Sequence, residues 1–346
     1  MNRLLPLVTA TAGLTFLILA GTLPAQAAPT VITDSGNITD GVDAFRQLLG
    51  PLNGVTPSEQ PTGRREINWD AVPAAVTNTD TFPPAFFNLN SKRGAILSTP
   101  GSGLRTSDNN FADVNPAYAG EFQNFSPVKT FAAVGSNVVD VTFQVAGGVK
   151  SAGVSGFGVV FSDVDRPGTA TMELFAGPLS LGTFEAPIRS DRNGLSFLGV
   201  IPNAGLLVTR VRITSGQAAL GADVADVSAG VALDLVVMDD FLYGEPHADS
   251  DADGLGDAGS DRDERPASDV RTKVDVNGNA PGQTHIDNRV VPGGSTIQDL
   301  VNDLRVKAQN RSDFERRITR LANTLKRAGI LTVSEQIELI RATRRH

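Results

Sequence analysis

The sequence has no cysteine among its 346 residues and has only three histidines, one tryptophan and two tyrosines. Without cysteine, thiol catalysis, thiolate metal sites, disulfides and a lipid-modified cysteine anchor are all excluded. His247, His285 and His346 lie outside the strand-rich part of the chain, so no histidine there can partner a catalytic serine. Few Trp and Tyr residues leave little material for the exposed aromatic platforms that sugar-binding sites commonly use.

The chain also lacks a basic excess, since its formal net charge is -8. Phosphate binding depends largely on lysine and arginine, so this balance argues against a nucleic-acid-binding protein. The charge is unevenly distributed: residues 28–244 have a balance of -8, residues 245–275 of -6, and residues 296–346 of +5. These zones coincide with changes of sequence pattern.

One long apolar stretch, residues 4–23, follows Arg3 at the N-terminus. It is followed by AQA at 25–27, the small-x-small pattern of a signal-peptidase site. The alternative is an uncleaved membrane anchor, because the stretch is nearly long enough to span a bilayer. The cleavage pattern favours a signal peptide over residues 1–27. We therefore expect an exported, extracellular bacterial protein with no membrane span after cleavage.

Alternating apolar and polar residues predict β structure over residues 64–244, as at 139–145. Further strand candidates, separated by turn residues, are 156–161, 169–175, 195–201, 206–213 and 232–238. Many short strands with no helix between them predict a mainly β fold, an antiparallel β-sandwich or jelly roll. The weaker periodicity before residue 130 predicts a few strands and long surface loops, and residues 28–63 are expected to form an N-terminal extension.

Several short motifs occur in an order that resembles bacterial exported β-sandwich proteins of the PEP-CTERM type. They are REINWD at 65–70, FFNLNSKRG at 86–94, GFGVVFSDVD at 156–165, GTATMELFAG at 168–177 and LVVMDDFLYG at 235–244. The C-terminus lacks the sorting tail of that type, so its sorting mechanism is not implied. The resemblance implies an extracellular sandwich and does not imply a reaction.

The pair Asp239-Asp240 in the last motif is one candidate metal site. The motif is similar to the last strand of jelly-roll carbohydrate-binding modules, in which an acidic residue commonly holds a structural calcium. That similarity implies calcium at Asp239 or Asp240, with Glu66 and Asp70 as candidate partners. A strand end beside a loop can supply the about six to eight oxygens that calcium takes. The alternative is a solvated or turn-forming pair at a strand terminus.

The acidic zone contains the most specific motif, DSDADGLGD at 249–257. This is the D-x-D-x-D-G-x-x-D spacing of calcium loops, in which alternate side chains converge on one point and Gly254 permits the sharp turn. The candidate ligands are Asp249, Asp251, Asp253, Leu255 through its carbonyl, Asp257 and Asp261. The run resembles a single thrombospondin type 3 repeat without its cysteine. We predict that residues 245–294 form a linker that calcium clamps; the alternative is a disordered acidic linker.

The sequence pattern of residues 295–346 predicts a basic tail of two to three helices. Apolar stripes run through 297–304 and 314–325, and a third places Val333, Ile337 and Ile340 on one side. Thr332 and Glu335 have capping-box spacing. We expect the stripes to pack on one another as a structural tail. The basic face could meet an anionic surface: the acidic sandwich, a polysaccharide or a lipid.

Common catalytic signatures are missing: the chain has no G-x-S-x-G, H-E-x-x-H or P-loop sequence. A carboxylate pair at glycosidase spacing could come from any two of its many acids. The leading prediction is a secreted, non-catalytic, calcium-binding β-sandwich protein in surface adhesion, matrix or ligand binding. Its expected partners are the calcium ion and an extracellular polysaccharide or surface protein. The alternative is a carbohydrate-binding or polysaccharide-degrading accessory protein.

Overall fold

The structure, a computed structural model, describes residues 28–191, 193–202, 206–252, 254, 256–257, 273–276, 284–289, 296–327 and 330–344. The predicted signal peptide lies outside the described residues. The chain forms a mainly β unit of two antiparallel sheets and a small C-terminal helical part. Within the described ranges, no helix is both long enough and apolar enough to cross a bilayer.

The strands, in chain order, are β1 (Thr30–Ser35), β2 (Arg64–Ile67), β3 (Ala95–Ser98), β4 (Gly103–Ser107), β5 (Thr130–Val134), β6 (Val138–Gln144), β7 (Ser151–Gly153), β8 (Phe157–Ser162), β9 (Ala170–Ala176), β10 (Leu179–Glu185), β11 (Leu195–Ile201), β12 (Arg210–Ser215), β13 (Val237–Gly244) and β14 (His247–Ala248). The α-helices are α1 (Thr39–Leu49), α2 (Phe86–Leu89), α3 (Ile297–Lys307), α4 (Arg311–Arg327) and α5 (Val333–Ala342). The first sheet has the order β1-β11-β8-β13-β5-β4, with β2 also on β13; the second has the order β10-β9-β12-β6-β7-β14, with β3 also on β6.

The two sheets share one hydrophobic core. In β6, Val139, Val141 and Phe143 are buried and alternate with half-buried residues, as the period-2 pattern predicts. They join buried residues of the first sheet in a single cluster. Trp69 is 1% exposed in this cluster and stacks on Phe131, with ring centroids 4.0 Å apart. The predicted mainly β character is confirmed.

Most of the predicted strands are confirmed, and β11 has the predicted bounds. Two boundaries are wrong. The strand predicted over 206–213 begins at Arg210. The strand predicted over 232–238 begins at Val237 and continues to Gly244, because apolar residues resume after the two aspartates.

The sequence analysis predicted only strands and loops before residue 130, and this prediction is wrong at helix α1. Its buried residues, including Val42, Phe45 and Leu49, lie on one helical face. Phe45 packs edge-to-face on Phe197, with centroids 5.6 Å apart. A Cβ at Gly199 of β11 would lie 2.6 Å from the Phe45 ring, so glycine is required for this packing. Residues 28–63 therefore contribute both α1 and β1, which pairs with β11.

The sequence predicts two to three C-terminal helices, and the described residues form three: α3, α4 and α5. The capping box at Thr332 and Glu335 is confirmed. The predicted stripe on α5 is wrong, because Val333 is 57% and Ile337 42% exposed, while Leu339 is buried. The helices share a core with buried residues of the preceding segments: Val274, Val276 and Ile286. Part of the predicted linker thus belongs to the helical core.

Candidate metal centre

The predicted Asp-rich loop directly follows β14, and its described part forms a tight turn. Gly254 has a φ of 94°, and its amide donates a hydrogen bond to Asp249 Oδ2 at 3.0 Å. A Cβ at this position would lie 2.5 Å from Ala176 Cβ. Glycine is therefore required both by the backbone conformation and by the close packing.

Three predicted ligands of this loop are among the described residues. Asp249 is fully buried and Asp251 is 9% exposed. Asp257 accepts hydrogen bonds from the Ser250 amide at 2.7 Å and hydroxyl at 2.8 Å, and it pairs with Lys150. Burial raises the pKa of Asp257, but Lys150 and these hydrogen bonds outweigh burial and leave the pKa lowered. The remaining predicted ligands lie outside the described residues: Asp253, Leu255 and Asp261. Convergence of all six ligands stays a prediction.

The pair Asp239-Asp240 lies inside β13, and the expectation of a strand end there is wrong. The register of β13 against β8 shifts between Met238 and Phe241, so the two aspartates occupy a β-bulge. Bulges interrupt regular alternation and re-aim side chains, and they are common beside functional sites. Asp239 is 0% and Asp240 2% exposed.

Hydrogen bonds and a nearby arginine surround this carboxyl pair. Asp239 accepts hydrogen bonds from the Phe125 amide at 2.6 Å and the Ser126 hydroxyl at 3.1 Å. Asp240 Oδ2 is 4.0 Å from Nη2 of Arg46. Burial, followed by repulsion from Asp240, raises the pKa of Asp239; burial also raises the pKa of Asp240. Calcium at this pair stays a prediction.

A group of five carboxylates, which the sequence pattern did not connect, meets at one end of the first sheet. In each of two groups of three, one oxygen per residue lies within 4.8 Å of the other two. The first group is Glu121, Asp163 and Asp226, and the second is Asp165, Asp226 and Asp234. Because Asp226 belongs to both groups, we treat the five residues as one acidic cluster.

Paired strand ends position this acidic cluster. The last residue of β8, Ser162, pairs with the first residue of β13, Val237. Asp163 and Asp165 follow β8, and Asp234 precedes β13. The other two members adjoin the 3-10 helices Pro116–Gly120 and Val227–Ala229: Glu121 and Asp226.

Hydrogen bonds fix two members of the acidic cluster. Asp226 accepts hydrogen bonds from the amides of Ser228 and Leu235, both at 2.7 Å. Asp234 accepts hydrogen bonds from the Arg166 amide at 3.0 Å and from the Thr169 hydroxyl. These bonds orient both carboxylates before any ligand binds.

Two oxygens of the acidic cluster, Asp163 Oδ2 and Asp165 Oδ1, are buried and have no hydrogen-bond partner within the described ranges. Asp163 as a whole is 0% exposed, and its Oδ1 accepts a hydrogen bond from the Asn193 amide at 3.1 Å. Burial, followed by Asp226 and the other acids, raises the pKa of Asp163 to about 9 and that of Asp165 to about 6. Buried carboxylate oxygens without partners are rare in folded proteins, so the cluster calls for a bound proton or cation.

The acidic cluster has the chemistry of a site for a hard cation. Its ligands are all carboxylate oxygens, which hard cations prefer. Calcium binds oxygens at about 2.3–2.6 Å, so opposite ligands lie about 4.6–5.2 Å apart. The oxygens of each group lie within 4.8 Å of one another, which is close enough for one such cation to contact all three.

Part of this cluster has a sequence signal. Asp163 and Asp165 directly follow the apolar run of β8, and Asp234 directly precedes the apolar run of β13. If these strands are recognised as antiparallel neighbours, the three acids fall at one end of the sheet. Glu121 and Asp226 have no comparable signal, because they lie in irregular segments whose position depends on the tertiary fold.

Comparisons with known proteins give little further information. No family model matches the chain, and no curated protein matches it. A search of solved structures found similarity to a Stig cyclase, Fisc, from Fischerella sp. TAU, in complex with (3Z)-3-(1-methyl-2-pyrrolidinylidene)-3H-indole. The similarity covers 62% of this chain and 98% of the cyclase, with 11% sequence identity and a TM-score of 0.22. A TM-score this low carries no argument about fold or activity.

Proposed function

We propose that the protein is an exported, calcium-binding β-sandwich of jelly-roll type that acts without catalysis in surface adhesion, matrix or ligand binding. The acidic cluster carries this proposal. Five carboxylates meet there, and two buried oxygens have no hydrogen-bond partner within the described residues. A calcium ion would supply the missing charge and join the end of β8 to the start of β13.

The Asp-rich loop is proposed as a second calcium site, of the thrombospondin type 3 kind. Its tight turn at Gly254 and the burial of Asp249 support this assignment. Bound ions would have a structural role in both places, because a chain without cysteine has no disulfide with which to fasten its loops. Export is proposed from the signal-peptide pattern of residues 1–27.

Calorimetric calcium titration of residues 28–346 tests this proposal, because the two sites can be removed separately. Asp163→Asn alters the acidic cluster, while Asp251→Ala with Asp253→Ala alters the loop. We expect the unaltered protein to bind two ions and each variant to lose one. The matched control is Asp140→Asn, which removes a half-buried carboxylate paired with Arg212 on the other sheet. Unchanged titrations in both site variants would contradict the proposal.

Calcium binding at the acidic cluster should depend on pH. In the calcium-free protein the raised pKa values of Asp163 and Asp165 make the folded state hold protons that the unfolded state has released. Their contribution to the free energy of unfolding is therefore present at low pH and is lost as pH rises through about 6 and then about 9. Calcium replaces these protons, so the stabilisation that it adds should grow over this range. Denaturant unfolding with and without calcium, at several pH values, measures this increment; a constant increment would contradict the expectation.

A further inference from the structure

A cavity of about 400 Å³ opens beside the Asp239-Asp240 bulge. Its lining includes Asp240, Arg46 of α1 and residues 52–55. A second cavity, of about 510 Å³, shares Arg46 with it. Both volumes are within the range of about 300–1,000 Å³ that is usual for small-molecule sites.

The backbone beside this cavity is strained at two bulky residues. Trp69 has a φ of 59° and Val128 a φ of 99°. Each lies within two residues of a cavity-lining residue, Asn68 or Ser126. The Trp69 indole donates a hydrogen bond at 2.9 Å to the carbonyl of Asp239, which ties one strained turn to the bulge. Left-handed conformations of bulky residues are rare and cluster at ligand sites.

A buried ion pair holds one wall of the cavity in place. Arg65 and Glu245 are each 1% exposed and are joined by two hydrogen bonds of 2.6 and 2.7 Å. Arg65 also donates a hydrogen bond to the carbonyl of Gly54, and Asn53 donates one to Glu245 at 2.8 Å. Buried ion pairs contribute little net stability, so their effect is often to fix one conformation. Here the fixed segment is the 52–55 wall.

The cavity presents donors and acceptors in near balance. Asp240 and Glu66 contribute carboxylates, while Arg46 and Arg93 contribute guanidinium groups. Arg46 is held by Glu66 at 2.9 Å and lies 4.0 Å from Asp240. The charges of these two carboxylates and two guanidinium groups cancel, so this wall has no net charge that would select a cation or an anion as its ligand. A neutral ligand whose hydroxyl groups both donate and accept hydrogen bonds suits this wall.

Apolar side chains stand at the rim of the same cavity. Leu52 is 58% and Val55 52% exposed, and the half-buried Phe125 also lines the cavity. They could contact the C–H face of a sugar ring. Trp69 and both tyrosines are at most 1% exposed, so they cannot form a flat platform for a long chain. The cavity therefore suits recognition of single sugar units.

We propose that this cavity binds a neutral sugar unit of an extracellular glycan, with Asp240 accepting hydrogen bonds from its hydroxyl groups and Arg46 donating to its oxygens. This assigns a ligand class to the binding role proposed above and rests on that role, but it does not require calcium at either metal site. In this proposal Asp240 binds the glycan, whereas the acidic cluster binds a calcium ion that stabilises the fold.

A glycan array that displays neutral, uronic-acid and sulfated glycans, probed with residues 28–346 in constant calcium, tests the proposal. We expect binding to neutral glycans. Calorimetry with the strongest neutral oligosaccharide should then show binding weakened about tenfold or more by Asp240→Ala, because a hydrogen bond to a charged group is lost. Asp140→Asn, which alters a half-buried carboxylate on the other sheet, should leave this affinity unchanged.

A melting experiment separates a ligand-binding role of Asp240 from a purely structural one. Asp240→Asn preserves the shape of the side chain and removes a buried charge beside Asp239, so we expect the ligand-free variant to melt at the same temperature or higher while glycan binding is weakened. No binding to neutral glycans, binding to acidic glycans alone, or equal affinity in the Asp240 variants would overturn the proposal. The stabilisation by calcium, measured on the same samples, shows whether the protein binds calcium even where the glycan-binding proposal fails.

Discussion

Removal of calcium is expected to lower the melting temperature of the protein by about 5–10 °C. A ligand at about 100 times its Kd stabilises the folded state by about 2.7 kcal/mol. For a domain of this size each kcal/mol corresponds to about 2–4 °C. The physical reason is the acidic cluster, in which Asp163 and Asp165 have buried oxygens without hydrogen-bond partners in the described structure. Differential scanning calorimetry with calcium and with excess chelator measures the difference.

The Asp163→Asn variant is the internal control for this experiment. The amide keeps the size of the carboxyl group and, like the protonated acid that the raised pKa implies in the absence of calcium, carries no charge. In chelator the variant should therefore melt at the same temperature as the unaltered protein or higher. In calcium it should gain less stability, because a ligand has been lost. A variant that responds fully to calcium would show that Asp163 is not a ligand.

Replacement of Arg65 by methionine is expected to lower the free energy of unfolding by about 3–5 kcal/mol. The change leaves Glu245 buried without its cation, since this carboxylate is 1% exposed. It also removes the hydrogen bonds that Arg65 donates to the carbonyls of Gly54 and Ser58. These bonds hold the 52–55 wall of the cavity in place. Denaturant unfolding at constant calcium measures the loss.

Two further variants show whether this loss comes from the unpaired charge. Arg65→Met combined with Glu245→Met should recover much of the stability, because neither charge then stays buried alone. Arg212→Met is the matched control, because it breaks an exposed ion pair: the Arg212 side chain, paired with Asp140, is 46% exposed. This variant should lower the free energy of unfolding by less than about 1 kcal/mol. Equal losses at Arg65 and Arg212 would contradict the role of burial.

Features with a short-range signal were predictable from the sequence. The β strands were visible because one buried face imposes alternation, as in β6. The turn at Gly254 was visible because its ligand spacing lies within nine consecutive residues. The capping box at Thr332 and Glu335 is equally local. In each case the residues that interact are also neighbours in the chain.

Features that depend on distant contacts were missed. The acidic cluster unites residues from Glu121 to Asp234, and strand pairing alone brings Asp163 toward Asp234. The apolar-Asp-Asp-apolar pattern was interpreted as a strand end, but its position inside β13 depends on the bulge against β8. The cavity near Asp240 likewise depends on α1, whose short amphipathic pattern did not stand out among Pro- and Gly-rich neighbours.

Anomalous diffraction from crystals grown with calcium, or with a lanthanide in its place, tests the central claim most directly. The account predicts an anomalous peak within the acidic cluster, about 2.3–2.6 Å from carboxylate oxygens that include Asp163 and Asp226. In the same crystals, a second anomalous peak at the Asp-rich loop would show that this loop also binds the metal. The claim would be contradicted if the acidic cluster showed no anomalous peak at saturating metal. In that case Asp163 Oδ2 would be hydrogen-bonded to a water or to another protein group instead.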